Sequence, residues 1–241
     1  MLLKAAINGG RPTSEHPAVP RTIEQIVEAS RAVIAAGADV VHAHVITEDG
    51  AQTIEPEAVG AWVRAMRAAD PAIVIGTTTG LWTVESHAER MRHLAGWPGD
   101  ALPDFASVAF CEEGAAEAAE LVLERGMVLE SAVWSIEDVP ALLASPTLHR
   151  NVRILIEPET EDADDAVAEC RRIAAVIRAA GVAAPILYHG YDATVWPVVE
   201  AAIADRCETR IGFEDGVHLP DGSLPAGNAE LVAAVRALER G

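Results

Sequence analysis

The stretch TIEQIVEASRAVIAAGADVVHAHV (residues 22–45) contains one complete unit of a repeating pattern. Its first part has apolar residues at helical spacing and ends at Gly37, and a glycine just past the last periodic residue is a usual helix stop. Its second part, Val40–Val45, is a short apolar run, typical of a strand that is buried on both faces. The unit therefore indicates a helix that leads into a buried parallel strand.

The same alternation continues over the whole chain. A second clear helix pattern, DDAVAECRRIAAVIRAAG (residues 164–181), also ends in glycine. Eight strands with helices between them predict a closed parallel barrel, and a chain of 241 residues fits one such domain of about 250. We expect a single α/β domain over residues 1–241, a (β/α)₈ TIM barrel, with a doubly wound open sheet as the alternative. The eight apolar runs are Leu2–Ile7, Val40–Val45, Ala72–Ile75, Phe105–Phe110, Met127–Val133, Val152–Ile156, Ala184–Tyr188 and Thr209–Phe213.

Charge and composition exclude several classes of partner. The formal net charge of -19 disfavours nucleic acid and anionic membrane surfaces. No apolar run is long enough for a membrane span, and the first residues lack the pattern of a signal peptide, so we expect a cytoplasmic protein. The cysteines, Cys111, Cys170 and Cys207, have no paired spacing and are expected to be free thiols.

Polar residues close nearly every apolar run. In a barrel of this type the active site is built at the carboxyl ends of the strands, so these residues are expected at one rim. The set comprises Asn8, His42, His44, Thr77 to Thr79, Cys111, Glu112, Glu130, Glu157, His189, Glu214 and Asp215.

The motif VVHAHV is the strongest local signal for chemistry. His42 and His44 are two residues apart on a strand, so both side chains point to the same face, here the barrel interior. Together with Glu214, at the end of the eighth run, they form a set of two histidines and one carboxylate with coordination positions left open. Such a set is typical of catalytic rather than structural metal sites. The alternative is that the two histidines bind no metal and hydrogen-bond only to the backbone and to water.

Several neighbouring residues admit two interpretations. Arg210 lies four residues before Glu214 and would hold Asp215 ionised, or would form a structural ion pair. The TTTG run (residues 77–80) would offer hydroxyls and backbone N–H groups to an oxyanion. Glu130, Glu157 and His189 each suit proton transfer, substrate binding or a structural role.

Lysine is informative because the chain contains a single one, Lys4. It lies early in the first strand, far from the expected active-site rim. A Schiff-base aldolase needs an accessible lysine in the barrel, so that mechanism is excluded. A barrel enzyme without it would polarise a carbonyl with a metal ion.

These motifs together resemble the β-keto acid cleavage enzymes, zinc-dependent barrels related to 3-keto-5-aminohexanoate cleavage enzyme. The resemblance runs nearly end to end and is carried by AAINGG, HPAVPRTIEQI, AGADVVHAHV with its EDG, TTTG, MVLESAVW, RIGFED and GNAELVAAVRAL. It implies Zn²⁺ as cofactor, a β-keto acid and acetyl-CoA as substrates, and a retro-Claisen exchange that yields acetoacetate and a new acyl-CoA. It also implies a homo-oligomer, a dimer or a tetramer.

The resemblance assigns roles to particular residues. The metal ligands would be His42, His44 and Glu214, and the catalytic groups would be Asp215, Arg210 and Thr78. From its expected place at a strand end we add Glu130 as a candidate catalytic group. Arg11 would contact the substrate by its place in the family pattern, and from their places at the strand ends we expect the same of Asn8, Thr79, Gly80 and His189.

Two positions depart from the family pattern. Ile46 stands where many members have an arginine, which questions the handling of coenzyme A. Arg11 stands where members with amino-bearing substrates have an acidic residue, so we expect a substrate whose distal end is neutral or anionic. Another metal-dependent barrel enzyme, such as a class II-type aldolase or a hydrolase, is the alternative, and a barrel that binds without catalysis is a third possibility.

Overall fold

The computed structural model describes residues 1–241 and contains a closed barrel of eight parallel strands. Around the barrel the order is β1-β2-β5-β6-β7-β8-β9-β10, and β10 pairs with β1. This closure confirms the predicted TIM barrel and excludes the open sheet. The barrel strands are β1 (Leu3–Ala6), β2 (Val40–His42), β5 (Ile75–Thr78), β6 (Phe105–Ala109), β7 (Val128–Val133), β8 (Asn151–Ile156), β9 (Ile186–Tyr188) and β10 (Glu208–Ile211).

A short antiparallel hairpin interrupts the repeat after β2. It consists of β3 (Val45–Ile46) and β4 (Gln52–Thr53), and Ile46 lies opposite Gln52. The turn contains Asp49 and Gly50, and the positive φ of 91° at Gly50 suits glycine. The hairpin therefore carries Gln52 back beside the end of β2.

Eight α-helices surround the barrel and bury their apolar sides against it. The first begins with a capping box, in which the Thr22 hydroxyl accepts from the Gln25 N–H. No helix is both long and apolar enough to cross a membrane. The helices are α1 (Ile23–Ala35), α2 (Pro56–Ala69), α3 (His87–Gly96), α4 (Ala115–Glu124), α5 (Val139–Ala144), α6 (Ala163–Ala179), α7 (Val195–Ala204) and α8 (Asn228–Arg240).

The segment after β10 passes very close to β1. A Cβ atom on Gly212 would lie 1.9 Å from the carbonyl oxygen of Ala6, so only glycine fits there. The chain then turns, and the Glu214 N–H donates to the same Ala6 carbonyl at 3.1 Å. The glycine of RIGFED therefore allows Glu214 and Asp215 to reach the barrel mouth.

A buried ion cluster fills the barrel interior below the mouth. The Lys4 ammonium and the Arg153 guanidinium both bind the carboxylate of Glu130, which is fully buried. The expected position of Glu130 at the end of its strand is wrong, because β7 continues to Val133. Lys4 is also fully buried, and an ammonium held by this carboxylate is unsuited to Schiff-base chemistry.

Candidate metal centre

Three predicted ligands converge on one point at the barrel mouth. The Nε2 atoms of His42 and His44 are 2.9 Å apart, and the Oε2 atom of Glu214 lies 3.7 Å and 3.6 Å from them. This Oε2 atom is buried and has no hydrogen-bond partner. An unpartnered buried carboxylate oxygen facing two imidazole nitrogens fits a divalent cation.

The protonation of this cluster also suits a metal. Burial lowers the pKa of His42 well below its ordinary value, in spite of the neighbouring Glu214 carboxylate. Burial alone would raise the pKa of Glu214, but Arg210 and the two histidines outweigh it and lower that pKa. A neutral imidazole and an ionised carboxylate are the forms that bind metal ions.

Gln52, which the sequence analysis did not identify, fixes the orientation of His44. The indole N–H of Trp82 can only donate, and it lies 3.1 Å from the Gln52 Oε1, so this atom is an acceptor. The Nδ1 of His44 contacts the same oxygen and must therefore carry a proton. In a neutral ring this leaves the lone pair on Nε2, which faces the other two ligands. The Asp49–Gly50 turn predicts a hairpin, but no spacing rule assigns a partner to Gln52.

Asn8 supports the backbone of His44. Its Oδ1 accepts from the His44 N–H at 2.9 Å, and its Nδ2 donates to the carbonyls of His44 at 2.8 Å and of Pro20 at 3.2 Å. The amide is buried and bound on both sides, so Asn8 holds a ligand in place; its expected contact with substrate stays a prediction.

Arg210 bridges the ligand Glu214 and its neighbour Asp215. Its Nη2 donates to Glu214 Oε1 at 2.8 Å and to Asp215 Oδ1 at 2.5 Å. Burial raises the pKa of Asp215, although Arg210 and His189 act in the opposite direction. A carboxyl group with a raised pKa beside a metal site is suited to moving a proton.

His189 links Asp215 to a second carboxylate. Its Nδ1 lies 3.7 Å from Asp215 Oδ1, and its Nε2 lies 2.7 Å from Glu157 Oε1. Burial would raise the pKa of Glu157, but His189 outweighs it and lowers the pKa. The structure thus brings Glu157, His189 and Asp215 into one line of ionisable groups.

The threonines at and just after the end of β5 direct their side chains differently. Thr78 borders a small cavity together with the three ligands, and its hydroxyl accepts from the Gly80 N–H at 3.0 Å. Gly80 borders the same cavity. The Thr79 hydroxyl instead donates to the Ser107 carbonyl at 2.8 Å, so it is directed at the neighbouring strand.

Arg11 lies at the mouth, but its charge is already neutralised. Its guanidinium donates to the carbonyls of residues 213, 214 and 215. It also pairs with Glu15 at 2.6 Å and with Asp192 at 2.7 Å. Arg11 therefore holds the loop that carries Glu214 and Asp215, a contact that the sequence pattern did not indicate.

A cavity of about 560 Å³ adjoins the ligands, within the usual size range of small-molecule sites. Glu130 does not border it. The lining includes Gly9, Gly10, Arg11, His44, Gln52, Trp82, Trp134, Glu157, Glu159, His189, Tyr191, Arg210 and Glu214.

Comparison with known proteins gives relatives of nearly full length. The chain is 25% identical over 252 residues to a 3-keto-5-aminohexanoate cleavage enzyme of Fusobacterium nucleatum, covering 98% of this chain and 89% of the other. A shorter match, 34% identical over 80 residues, joins 33% of this chain to 28% of a 3-oxoadipate:acetyl-CoA acetyltransferase of Cupriavidus necator.

A solved structure shares the fold. The binary complex of ObcA with oxaloacetate superposes with a TM-score of 0.76 at 19% identity, covering 92% of this chain and 63% of that chain. The present chain thus spans about three-fifths of the length of ObcA. The family model described as "beta-keto acid cleavage enzyme" matches residues 1–240, so the chain belongs to the β-keto acid cleavage enzyme family.

Proposed function

We propose that this chain is a zinc-dependent enzyme that exchanges an acyl group between a β-keto acid and acetyl-CoA. The observation that carries the proposal is the His42–His44–Glu214 cluster beside the Arg210–Asp215 pair, at a cavity of about 560 Å³. In the balanced reaction, the bond between C2 and C3 of the keto acid breaks and its acyl group passes to coenzyme A. The remaining acetate unit takes the acetyl group, which gives acetoacetate and a new acyl-CoA.

The ligand chemistry supports zinc. Two imidazole nitrogens and one carboxylate oxygen form a nitrogen-rich set, which suits zinc better than magnesium or calcium. When bound, the metal would supply a Lewis acid that polarises the ketone and stabilises negative charge on its oxygen.

The surrounding residues of the chain would manage protons and orientation. Asp215 is buried and adjacent to the ligands, so it is our candidate for the proton-transferring group, with Arg210 as the residue that orients it. His189 lies 3.7 Å from Asp215 and offers a path for the proton. Thr78 is our candidate contact for the substrate carboxylate, because it borders the cavity that contains the ligands.

Acetyl-CoA as co-substrate is supported by one relative, whose name is 3-oxoadipate:acetyl-CoA acetyltransferase. Ile46 is the observation that favours a second candidate, a metal-dependent aldolase or hydrolase that works without the thioester. This isoleucine lies in β3, opposite Gln52 and next to the mouth, and supplies no charge for the phosphates of coenzyme A. We further propose a cytoplasmic homo-oligomer, a dimer or a tetramer, without nucleic-acid or membrane partners.

The test is metal content followed by turnover. Purified protein and the His44→Ala variant are compared for bound zinc, with His149→Ala as control, since His149 is exposed and remote from the cluster. A panel of β-keto acids is then assayed with and without acetyl-CoA. Zinc that is lost only in His44→Ala, with turnover that requires acetyl-CoA, is the expected result. Turnover without acetyl-CoA would favour the second candidate, and a wild-type protein that binds no metal would refute the proposal.

A further inference from the structure

Two tryptophans form a wall beside the metal ligands. The Trp82 ring stacks on His44, with centroids 6.5 Å apart and planes inclined by 23°, and it lies 6.2 Å from the Trp134 ring. Both side chains line the cavity that contains His44 and Glu214. Trp82 is 50% exposed, which is high for a tryptophan that the fold holds in a defined place.

The position of Trp82 is built into the local structure. Its indole N–H donates to Gln52 at 3.1 Å. Its ring also lies over Gly80, where a Cβ atom would be only 2.3 Å from the ring carbons. A hydrogen bond, a stacked imidazole and a glycine therefore hold the ring in place, so its exposed surface is available without reorganisation.

The charged groups of the cavity leave no free cation for a second anionic group. Arg11 is neutralised by Glu15 and Asp192, and Arg210 is engaged by Glu214 and Asp215. An anionic distal group would also meet Glu159, which is exposed on the lining. Of the two substrate types expected from Arg11, these contacts favour the neutral distal end over the anionic one.

A cationic distal group is disfavoured close to the metal position, where a bound divalent cation would repel it. The Trp82 ring lies against the imidazole of His44, whose Nε2 atom faces the metal position. Like charges at such short range repel strongly where water is scarce. The carboxylate of the keto acid itself would interact favourably with the charge of the metal ion.

We propose that Trp82 and Trp134 bind an uncharged, apolar acyl substituent, so that this chain processes β-keto acids with a hydrocarbon distal end. The inference rests on the proposed function and names the substrate class of the same site. An apolar substituent that packs against the indole rings is removed from water, and this transfer strengthens binding. Each 1.4 kcal/mol of transfer free energy lowers the Kd about tenfold.

The test compares three β-keto acids of equal chain length that end in an alkyl group, a carboxylate or an ammonium. Binding to the zinc-loaded protein is followed by tryptophan fluorescence, and kcat/KM is measured with acetyl-CoA. We expect the alkyl acid to bind about tenfold more tightly than either charged acid. Preference for the carboxylate or the ammonium acid would overturn the proposal, as would equal affinity for all three.

Variants distinguish a specific role of the two tryptophans in alkyl binding from a general loss of binding or folding. Trp134→Ala and Trp82→Ala should each weaken binding of the alkyl acid more than binding of a β-keto acid with only a methyl group. Trp82→Phe keeps an apolar ring but loses the N–H, and it should retain the alkyl preference. Trp196→Ala is the matched control, because Trp196 lies outside this cavity and donates to the His218 carbonyl.

The outcomes distinguish the two proposals. Binding with alkyl preference but no turnover of any acid would refute the proposed exchange reaction and leave the apolar subsite standing. Turnover with the same efficiency on all three acids would support the reaction and refute the subsite. Equal losses for methyl and alkyl acids in the Trp134→Ala variant would also refute it.

Discussion

Gln52→Leu tests how the protein prepares His44 for a metal. The substitution removes the oxygen that accepts from the His44 Nδ1–H and from the Trp82 N–H, and it puts an apolar side chain of similar volume in its place. In the metal-bound form Nε2 must be free of its proton, so the Nδ1–H stays in place and loses its acceptor. An unsatisfied buried donor costs about 1–3 kcal/mol. We therefore expect the Kd for zinc to rise by about 10- to 100-fold, a range known for residues that orient metal ligands.

The assay is a competition titration of the metal-free protein against a chromophoric zinc chelator. Gln52→Glu provides the opposite perturbation, since a carboxylate accepts the same hydrogen bond more strongly and should preserve or tighten metal binding. Gln25→Leu is the matched control, because Gln25 caps α1 on the outside of the barrel and should leave zinc affinity unchanged. A wild-type Kd in Gln52→Leu, or equal weakening by leucine and glutamate, would refute the assignment of Gln52.

Three further predictions follow from contacts elsewhere in the structure. Asp215→Asn should retain zinc but lower kcat by about 10²-fold or more, as expected for loss of a proton-transferring group, and a wild-type kcat would contradict that role. Gly9→Ala should weaken zinc binding, because a Cβ atom there would lie 2.5 Å from Cγ of the ligand Glu214. Gly99→Ala is the control: its Cβ atom would meet no atom within 4 Å, so the same titration should show unchanged zinc affinity. Lys4→Met should lower the free energy of unfolding by about 3–5 kcal/mol, because it leaves the buried Glu130 carboxylate without one of its partners. Denaturant unfolding measures this change, and an unchanged unfolding midpoint would argue against a stabilising ion cluster.

Much of the barrel and of the metal site follows from local patterns. The apolar runs and glycine stops predict the strands and helices because strand and helix periods direct side chains to defined faces. The same geometry explains the convergence of His42, His44 and Glu214. Residues two apart on a strand share a face, and the carboxyl ends of all barrel strands meet at one rim.

The sequence was a poorer guide to which charged groups pair with one another. Glu130 was expected at the rim, but it lies inside the barrel because its strand continues past it. The role of Arg11 in substrate selection stays a prediction, and nothing in the sequence indicated that its guanidinium is held by Glu15, Asp192 and the loop after β10. The sequence shows which residues are charged, but it does not show which partner neutralises each charge.

The sequence alone thus determined the eight-stranded barrel, the rim on which chemistry takes place and the three residues that face a common point there. Only the tertiary structure decided that Gln52 sets the proton of His44, that Arg210 joins Glu214 to Asp215, and that Trp82 presents an open face to the cavity. The physical reason is range. Periodicity is a property of neighbouring residues, whereas hydrogen bonds and ion pairs between distant segments depend on where loops and side-chain rotamers bring their atoms together.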